Sequence, residues 1–446
     1  MAMAQIQPDT IPNDSIKKDS ITPLPWPLYM TTRLDSAIQK SPVMKYATLG
    51  MQVFDLTTDS VIYRHNDYRK MVPASNEKII TSVTALEHLG KDFPFRTSLH
   101  HTGFISTDSL FFSDTLVTDS GTFVQERIIP RRILHGDVYA VGSFDPAFDG
   151  YDLNTFVSRF AELQIDSIDG MLYEDVSVKD TIRWGKSWVW KIHPDNPDIS
   201  PLMVNKKAGF MQQFKNELAK RMITVRGAVG FAICPDSAQL VCDKVRTLNQ
   251  LMPRLMKNSD NVYAESIFCQ LAALSIRNLK SSESPENVIF QQIRKVGYKN
   301  PSEFTILDGS GLSHFNFLTP EMLIAFLKYV RNTPELYEVF YPSLPIAGID
   351  GTISTRMKTG PAYQNVHAKT GTLNGVITLS GYCTAANGHE LLFSIMLNNT
   401  RTSAAARDFQ DDLCTILTHD ESVMKISRKP APVRRAVRRR PVRRRK

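Results

Sequence analysis

Three short clusters in this chain hold residue types that could together make and break an acyl bond. The first is Ser75-Asn76-Glu77-Lys78. A serine hydroxyl is a weak nucleophile at neutral pH and needs an adjacent base. Residues i and i+3 share one face of a helix, so the Lys78 amine can reach the Ser75 hydroxyl. Ile79, Ile80, Val83, Leu86 and Leu89 follow at helical spacing and Gly90 closes the run, which predicts a helix with Ser75 at its amino end. Backbone N–H groups at that end favour negative charge forming at the serine. The pattern recurs at Ser15–Lys18 and Ser422–Lys425, and neither of those opens a long amphipathic helix.

The second cluster is Ser259-Asp260-Asn261, a hydroxyl and an amide ahead of Val262, Ile267, Leu271 and Leu274. Taken alone it reads first as a helix cap, with Ser259 or Asp260 as the capping residue. The third is Lys369-Thr370-Gly371-Thr372, on a predicted strand Val366–Thr372. Lys369 and Gly371 share a face by strand alternation, and glycine lets a substrate approach the backbone closely. A second Lys-Thr-Gly, at Lys358–Gly360, is followed by Pro361; proline has no N–H to offer an oxyanion, whereas Thr372 has one. A serine with a lysine base, a second serine with an amide, and a lysine on a strand, in that order, form the set used by serine acyl-enzymes of the penicillin-binding type.

The elements that carry these clusters alternate in type. Residues 1–26 read as a polar leader. A helix, a hairpin (Ala47–Leu56 with Val61–Arg64) and the Ser75 helix follow, up to residue 90. Residues 91–240 break into short strand-like runs with Asp-Ser and Gly turns. Helices return at Ser259–Ile276, Pro285–Val296 and Thr319–Arg331. Three antiparallel strands close the fold: Val366–Thr372, Val376–Tyr382 and Leu391–Leu397, with Asn387-Gly388 supplying a tight hairpin turn. A last helix places Phe409, Leu413, Ile416 and Leu417 on one face. The plan is α+β, an antiparallel sheet covered by helices. Residues 27–90 and 241–420 make the catalytic domain, 91–240 an inserted and mostly β domain, and 421–446 a basic tail.

A chain of 446 residues is long enough for that plan. No apolar stretch reaches the length that spans a bilayer. The net charge of +8 is local: residues 428–446 hold eleven Lys or Arg and no acid, so the remainder sums to 8 − 11 = −3. Blocks of this kind bind polyanions through charge. The five cysteines lack metal spacing; Cys234 and Cys242 could pair across a short loop. Neither a metal nor an organic cofactor is expected. Ala2-Met3-Ala4 has the small-x-small form that precedes a signal-peptidase cut, without the basic and apolar regions of a signal. An exported chain, periplasmic or otherwise in the envelope, is therefore expected, with its signal missing from this sequence.

Together with the three clusters, Asp308-Gly309-Ser310-Gly311-Leu312-Ser313 and Ala347-Gly348-Ile349-Asp350-Gly351-Thr352 carry a closer likeness. Over residues 30–418 the chain resembles the D-alanyl-D-alanine carboxypeptidase/endopeptidases, the class C low-molecular-mass penicillin-binding proteins. The resemblance implies a β-lactamase/transpeptidase-like domain acting on peptidoglycan peptides and inhibited by β-lactams. From Ser75 to Ser259 is 259 − 75 = 184 residues, a gap that sets this branch apart from β-lactamases, and no Glu-x-x-Leu-Asn sequence supplies their deacylating carboxylate. The insertion is shorter than the branch leads one to expect.

The resemblance implies Ser75 as nucleophile and Lys78 as its base. Ser259 and Lys369 would relay the proton to the leaving amine, and Asn261 would hold the substrate backbone. Lys369 and Thr370 would bind the terminal carboxylate, and the N–H groups of Ser75 and Thr372, beside Gly371, the oxyanion. Asp145, in Val141–Pro146, resembles an acid that contacts the peptide side chain's amino group; a turn role before Pro146 stands beside that reading. The two Gly-rich segments receive no catalytic role. Two other readings remain: a β-lactamase or esterase on the same fold, and a non-catalytic sensor or wall-binding protein. For the tail, acidic lipid or wall polymer ranks ahead of nucleic acid.

Overall fold

The computed structural model describes residues 25–118, 121–178, 188, 198–277 and 284–419. The leader up to residue 24, the tail from residue 420, and with them Ser15–Lys18 and Ser422–Lys425, lie outside the described residues. The chain opens with α1 (Leu28–Lys40), β1 (Thr48–Asp55), β2 (Ser60–His65) and α2 (Glu77–His88). The insertion then runs β3 (Pro94–His101), β4 (Phe104–Thr118), β5 (Gly121–His135), β6 (Val138–Val141), α3 (Gly150–Ala161), β7 (Ser167–Ile168) and β8 (Leu172–Asp175). It continues through α4 (Phe210–Lys220), β9 (Thr224–Val225), β10 (Val229–Phe231) and β11 (Gln239–Thr247). After it come α5 (Leu248–Lys257), α6 (Asn261–Arg277), α7 (Pro285–Lys295), α8 (Pro320–Arg331) and α9 (Pro334–Ser343). The last elements are β12 (His367–Leu373), β13 (Val376–Thr384), β14 (Glu390–Asn398) and α10 (Ser403–Thr418).

Both ends of the chain build one sheet, in the order β12-β13-β14-β1-β2. All its neighbours are antiparallel, and Thr48 pairs with Asn398 through Asp55 with Leu391. Helices cover it on both faces. One core joins Ile79, Ile80 and Val83 of α2 with residues of α5 to α9 and with Met396; the other packs Leu34 of α1 and Leu413 of α10 against Val53, Leu379 and Ile395. That double cover explains why β1 does not show the one-sided burial that alternation suggests: every residue from Leu49 to Asp55 is buried. Gln52 is tolerated there because its Nε2 donates to Asp67 Oδ2 at 2.5 Å.

The insertion is a separate layer with its own core, Leu99, Phe156, Leu172 and Phe214 among its members. Its strands form two sheets, β10-β8-β6-β3-β11 and β4-β5-β7-β9. They include parallel pairs such as β6 with β8, which short strand-like runs alone do not reveal. The Asn387-Gly388 turn is looser than a two-residue hairpin: Ala385–His389 joins the strands, closed by Ala385 N–H to His389 O at 2.9 Å, with Gly388 at φ +85°. Cys234 and Cys242 are free thiols, as are the other three. Among the described residues no helix is long and apolar enough to cross a membrane, and no three metal-ligating side chains converge.

Candidate active site

Ser75 lies in a single 3-10 turn, Ala74–Asn76, that runs directly into α2, so the nucleophile precedes the α-helix rather than sitting in its first turn. Three contacts fix that turn. The Thr378 hydroxyl on β13 donates to Pro73 O at 2.8 Å, and Asn76 Nδ2 donates to Ser380 Oγ at 2.7 Å. From the other side Gly311, at φ +80°, lies against Ala74: a Cβ built there would stand 1.8 Å from Ala74 O. No other residue type fits that contact without moving the serine turn.

Lys78 is fully buried. Its Nζ lies 2.9 Å from Ser75 Oγ, 2.7 Å from Asn261 Oδ1 and 2.7 Å from Ser310 O. As an ammonium it donates to all three. As a free amine it keeps its two donors on the carbonyl oxygens and turns its lone pair to the Ser75 hydroxyl. Burial pushes its pKa down to about 8, against the pull of Glu265, Asp308, Asp260 and Glu77. At pH 7 that raises the neutral fraction from roughly 1 in 3,000 to about 1 in 10.

The Gly-rich segment given no catalytic role in the sequence reading proves to shape this base. The Ser310 carbonyl is one of the three Lys78 partners. Glu265 of α6 accepts from Ser310 N at 2.8 Å and Gly309 N at 3.3 Å. Asp308 accepts from Gly311 N and Ser313 N, each at 2.7 Å, and from Trp188 Nε1 at 2.8 Å. Burial, reinforced by Asp308, pushes Glu265 up to about 8. Glu77 is buried with neither carboxyl oxygen hydrogen-bonded among the described residues. Burial first, then Asp308 and Glu265, holds it well above the ordinary carboxylate range. The sequence signal was the density of hydrogen-bonding groups around three closely spaced positions, 308, 310 and 311.

Ser259 does not cap α6. It sits at φ +56°, and its hydroxyl accepts from Lys369 Nζ at 2.7 Å. The capping role falls to Asp260, whose Oδ1 accepts from Val262 N at 3.2 Å. Asp260 also pairs with Lys206 of the insertion and with Arg254, tying the inserted layer to this loop. Asn261 gives its carbonyl oxygen to Lys78, which leaves its amide N–H groups for a ligand.

On β12, Ala368 N–H donates to Pro345 O, away from β13, so alternation turns the Thr370 and Thr372 N–H groups to the same open edge. Gly371 faces the serine turn; a Cβ there would be 3.0 Å from Ser75 N and 2.1 Å from Thr378 Oγ1. The strand backbone thus passes directly beside the Ser75 N–H. Thr370 Oγ1 donates to Thr352 Oγ1 at 2.7 Å, which brings the second Gly-rich segment to the site as well. Lys369 is fully buried, donates to Ser259 Oγ and to Thr370 O, and is held well below the lysine range by burial and by Lys78. Its amine thus lies beside Ser259, the partner in the proton relay that the resemblance implies. The other Lys-Thr-Gly, Lys358–Gly360, lies exposed in a loop.

Asp145 takes the turn role, one of its two expected readings. Its side chain is sealed in the interior, with Oδ2 2.6 Å from Arg246 Nη1 and Oδ1 accepting from Ala147 N at 2.9 Å. Arg246 also holds Asp152. Both oxygens are committed, and the turn and ion-pair role accounts for this residue.

Comparison with known proteins places the chain. The model of the D-Ala-D-Ala carboxypeptidase 3 (S13) family matches residues 30–110 and 199–419. The D-alanyl-D-alanine carboxypeptidase DacB of Haemophilus influenzae is 24% identical over 439 residues, 84% of this chain and 90% of that protein. The crystal structure of penicillin-binding protein 4 (dacB) from Haemophilus influenzae superposes with a TM-score of 0.70 at 22% identity, covering 86% of this chain and 99% of that one. Its complex with a β-lactam gives 0.64 at 21% identity, covering 87% and 100%. These structures show the shared fold. The chain belongs to the D-Ala-D-Ala carboxypeptidase 3 (S13) family. It is a hydrolase of the serine-type carboxypeptidase class, of the penicillin-binding kind.

Proposed function

We propose that the chain removes the terminal D-alanine from peptidoglycan stem peptides in the cell envelope, through an acyl-enzyme on Ser75. The observation that carries this reading is the Lys78 amine, buried and shared between the Ser75 hydroxyl and two carbonyl oxygens. In the free-amine form Lys78 takes the Ser75 proton as Oγ attacks the carbonyl between the two D-alanines. The oxyanion accepts from the N–H groups of Ser75 and Thr372, one such donor being worth roughly 2.7–4 kcal/mol in other enzymes. Collapse breaks the peptide bond, and the departing amine takes its proton from the Ser259 hydroxyl, with Lys369 hydrogen-bonded behind it. Asn261 donates to the substrate backbone. Lys369 resupplies the Ser259 proton; water then attacks the ester, its proton passing back to Ser259 and Lys369, while Lys78 returns the proton it took to Ser75 Oγ.

A β-lactam presents the same carbonyl to the same serine, and the β-lactam complex of the Haemophilus influenzae protein supports extending that inhibition to this chain. Muropeptide mass spectrometry after digestion with the whole chain tests the substrate: loss of a single alanine from pentapeptide stems is expected. Cleavage of cross-linked dimers without that loss would reassign the enzyme as an endopeptidase, and no mass change would end the reading.

The eleven cations of residues 428–446 would hold the enzyme on an anionic lipid or wall-polymer surface. Binding to vesicles containing an acidic phospholipid should fall steeply with salt and vanish when residues 428–446 are deleted. Binding that persists after the deletion takes the tail out of the account.

A further inference from the structure

A substrate with a free terminal carboxylate brings a negative charge to the open edge of β12. The lysine of that strand is not placed to meet it: Lys369 is buried and directs its amine to Ser259 Oγ at 2.7 Å and Thr370 O at 2.9 Å. The side chains of Thr370 and Thr372 leave the strand on the opposite face, that of Thr372 exposed. Among the described residues, Thr372 has one charged hydrogen-bond partner. Arg407, exposed on α10, donates from Nη2 to Thr372 Oγ1 at 3.3 Å.

Two other cations in that quarter are committed. Lys257 Nζ lies 2.5 Å from Asp350 Oδ2 and 2.9 Å from Leu344 O, and Arg356 Nη2 lies 2.6 Å from Asp411 Oδ1. Arg407 makes no ion pair among the described residues. A guanidinium carries five N–H donors in a fork that fits a carboxylate, and a single long bond to a hydroxyl leaves most of them open.

We propose that Arg407 is the cation that recognises the substrate's free C-terminal carboxylate, acting with the Thr370 and Thr372 hydroxyls; the inference rests on the peptidase reading above. The carboxylate takes the guanidinium's open donors in a charge-assisted pair while Thr372 Oγ1 turns to donate to it. Arg407 is a binding residue, and its effect belongs in KM. It also separates a free chain end, which carries the charge, from an amide-linked one, which does not.

Kinetics on an Nα,Nε-diacetyl-Lys-D-Ala-D-Ala tripeptide and on its C-terminal amide test this. Arg407→Gln should lower kcat/KM on the acid by about 10- to 100-fold, mostly through KM, and leave kcat/KM on the amide unchanged. Arg407→Lys should recover part of the loss, since it keeps the charge without the fork. Equal losses on acid and amide, or no loss on the acid, overturn the proposal. Wild-type protein that cleaves the terminal peptide bond of neither peptide, releasing D-alanine from the acid or D-alaninamide from the amide, overturns the peptidase reading itself, and the inference with it.

Discussion

Ser75→Ala is expected to abolish covalent labelling by a fluorescent penicillin and to lower D-alanine release by about 10⁴-fold or more. The hydroxyl is the only part of Ser75 that the reaction consumes, and the turn that holds it is fixed by other groups: Thr378 to Pro73, Asn76 to Ser380, and Gly311 against Ala74. The variant should therefore fold as the wild type does, and its thermal unfolding should shift little. Another hydroxyl, that of Ser259, lies 2.7 Å from Lys369 Nζ, so the substitution discriminates. Labelling that survives in the alanine variant would move the nucleophile elsewhere, and tryptic mapping of the labelled peptide would show where.

The second large effect concerns Lys78. Lys78→Met keeps the length of the side chain, removes the base, and leaves Asn261 Oδ1 and Ser310 O without their donor. Acylation by penicillin should slow by about 10²- to 10⁴-fold. Because the amine accepts a proton only when neutral, and burial sets its pKa at about 8, wild-type kcat/KM should climb about tenfold per pH unit below that value and level off above it. The methionine variant should lose that rise. Glu265, also pushed up to about 8, is the rival origin of the same limb. Glu265→Gln should keep the rise; if it flattens the profile and Lys78→Met does not, the base assignment is wrong.

Much of this site was legible along the chain because its chemistry is local. Ser75 and Lys78 are three residues apart at the mouth of a helix, so covalent spacing alone brings them together. Pro361 disqualifies one Lys-Thr-Gly by its missing N–H, a property of one residue. The strand β14 could be placed as a short, nearly continuous apolar run and the helix α10 by its periodic apolar face. The other elements escaped for physical reasons. Parallel pairings such as β6 with β8 join segments far apart in sequence, and very short strands leave too few residues for a period to show. Asp145 carries no local mark of its partner, since Arg246 lies a hundred residues away and only packing brings the two together.

The order and types of the three clusters were enough to determine the class of chemistry, an acyl transfer through a serine with a lysine base. Tertiary structure alone decided how the two lysines divide the work. Both are buried, but Lys78 is surrounded by Glu265, Asp308, Asp260 and Glu77, which hold its pKa near 8, whereas Lys369 has Lys78 as its charged neighbour and falls further. That difference makes one amine a base poised near neutrality and turns the other inward to Ser259. Sequence spacing cannot carry that information, because burial and the sign of the nearest charge are properties of the assembled fold.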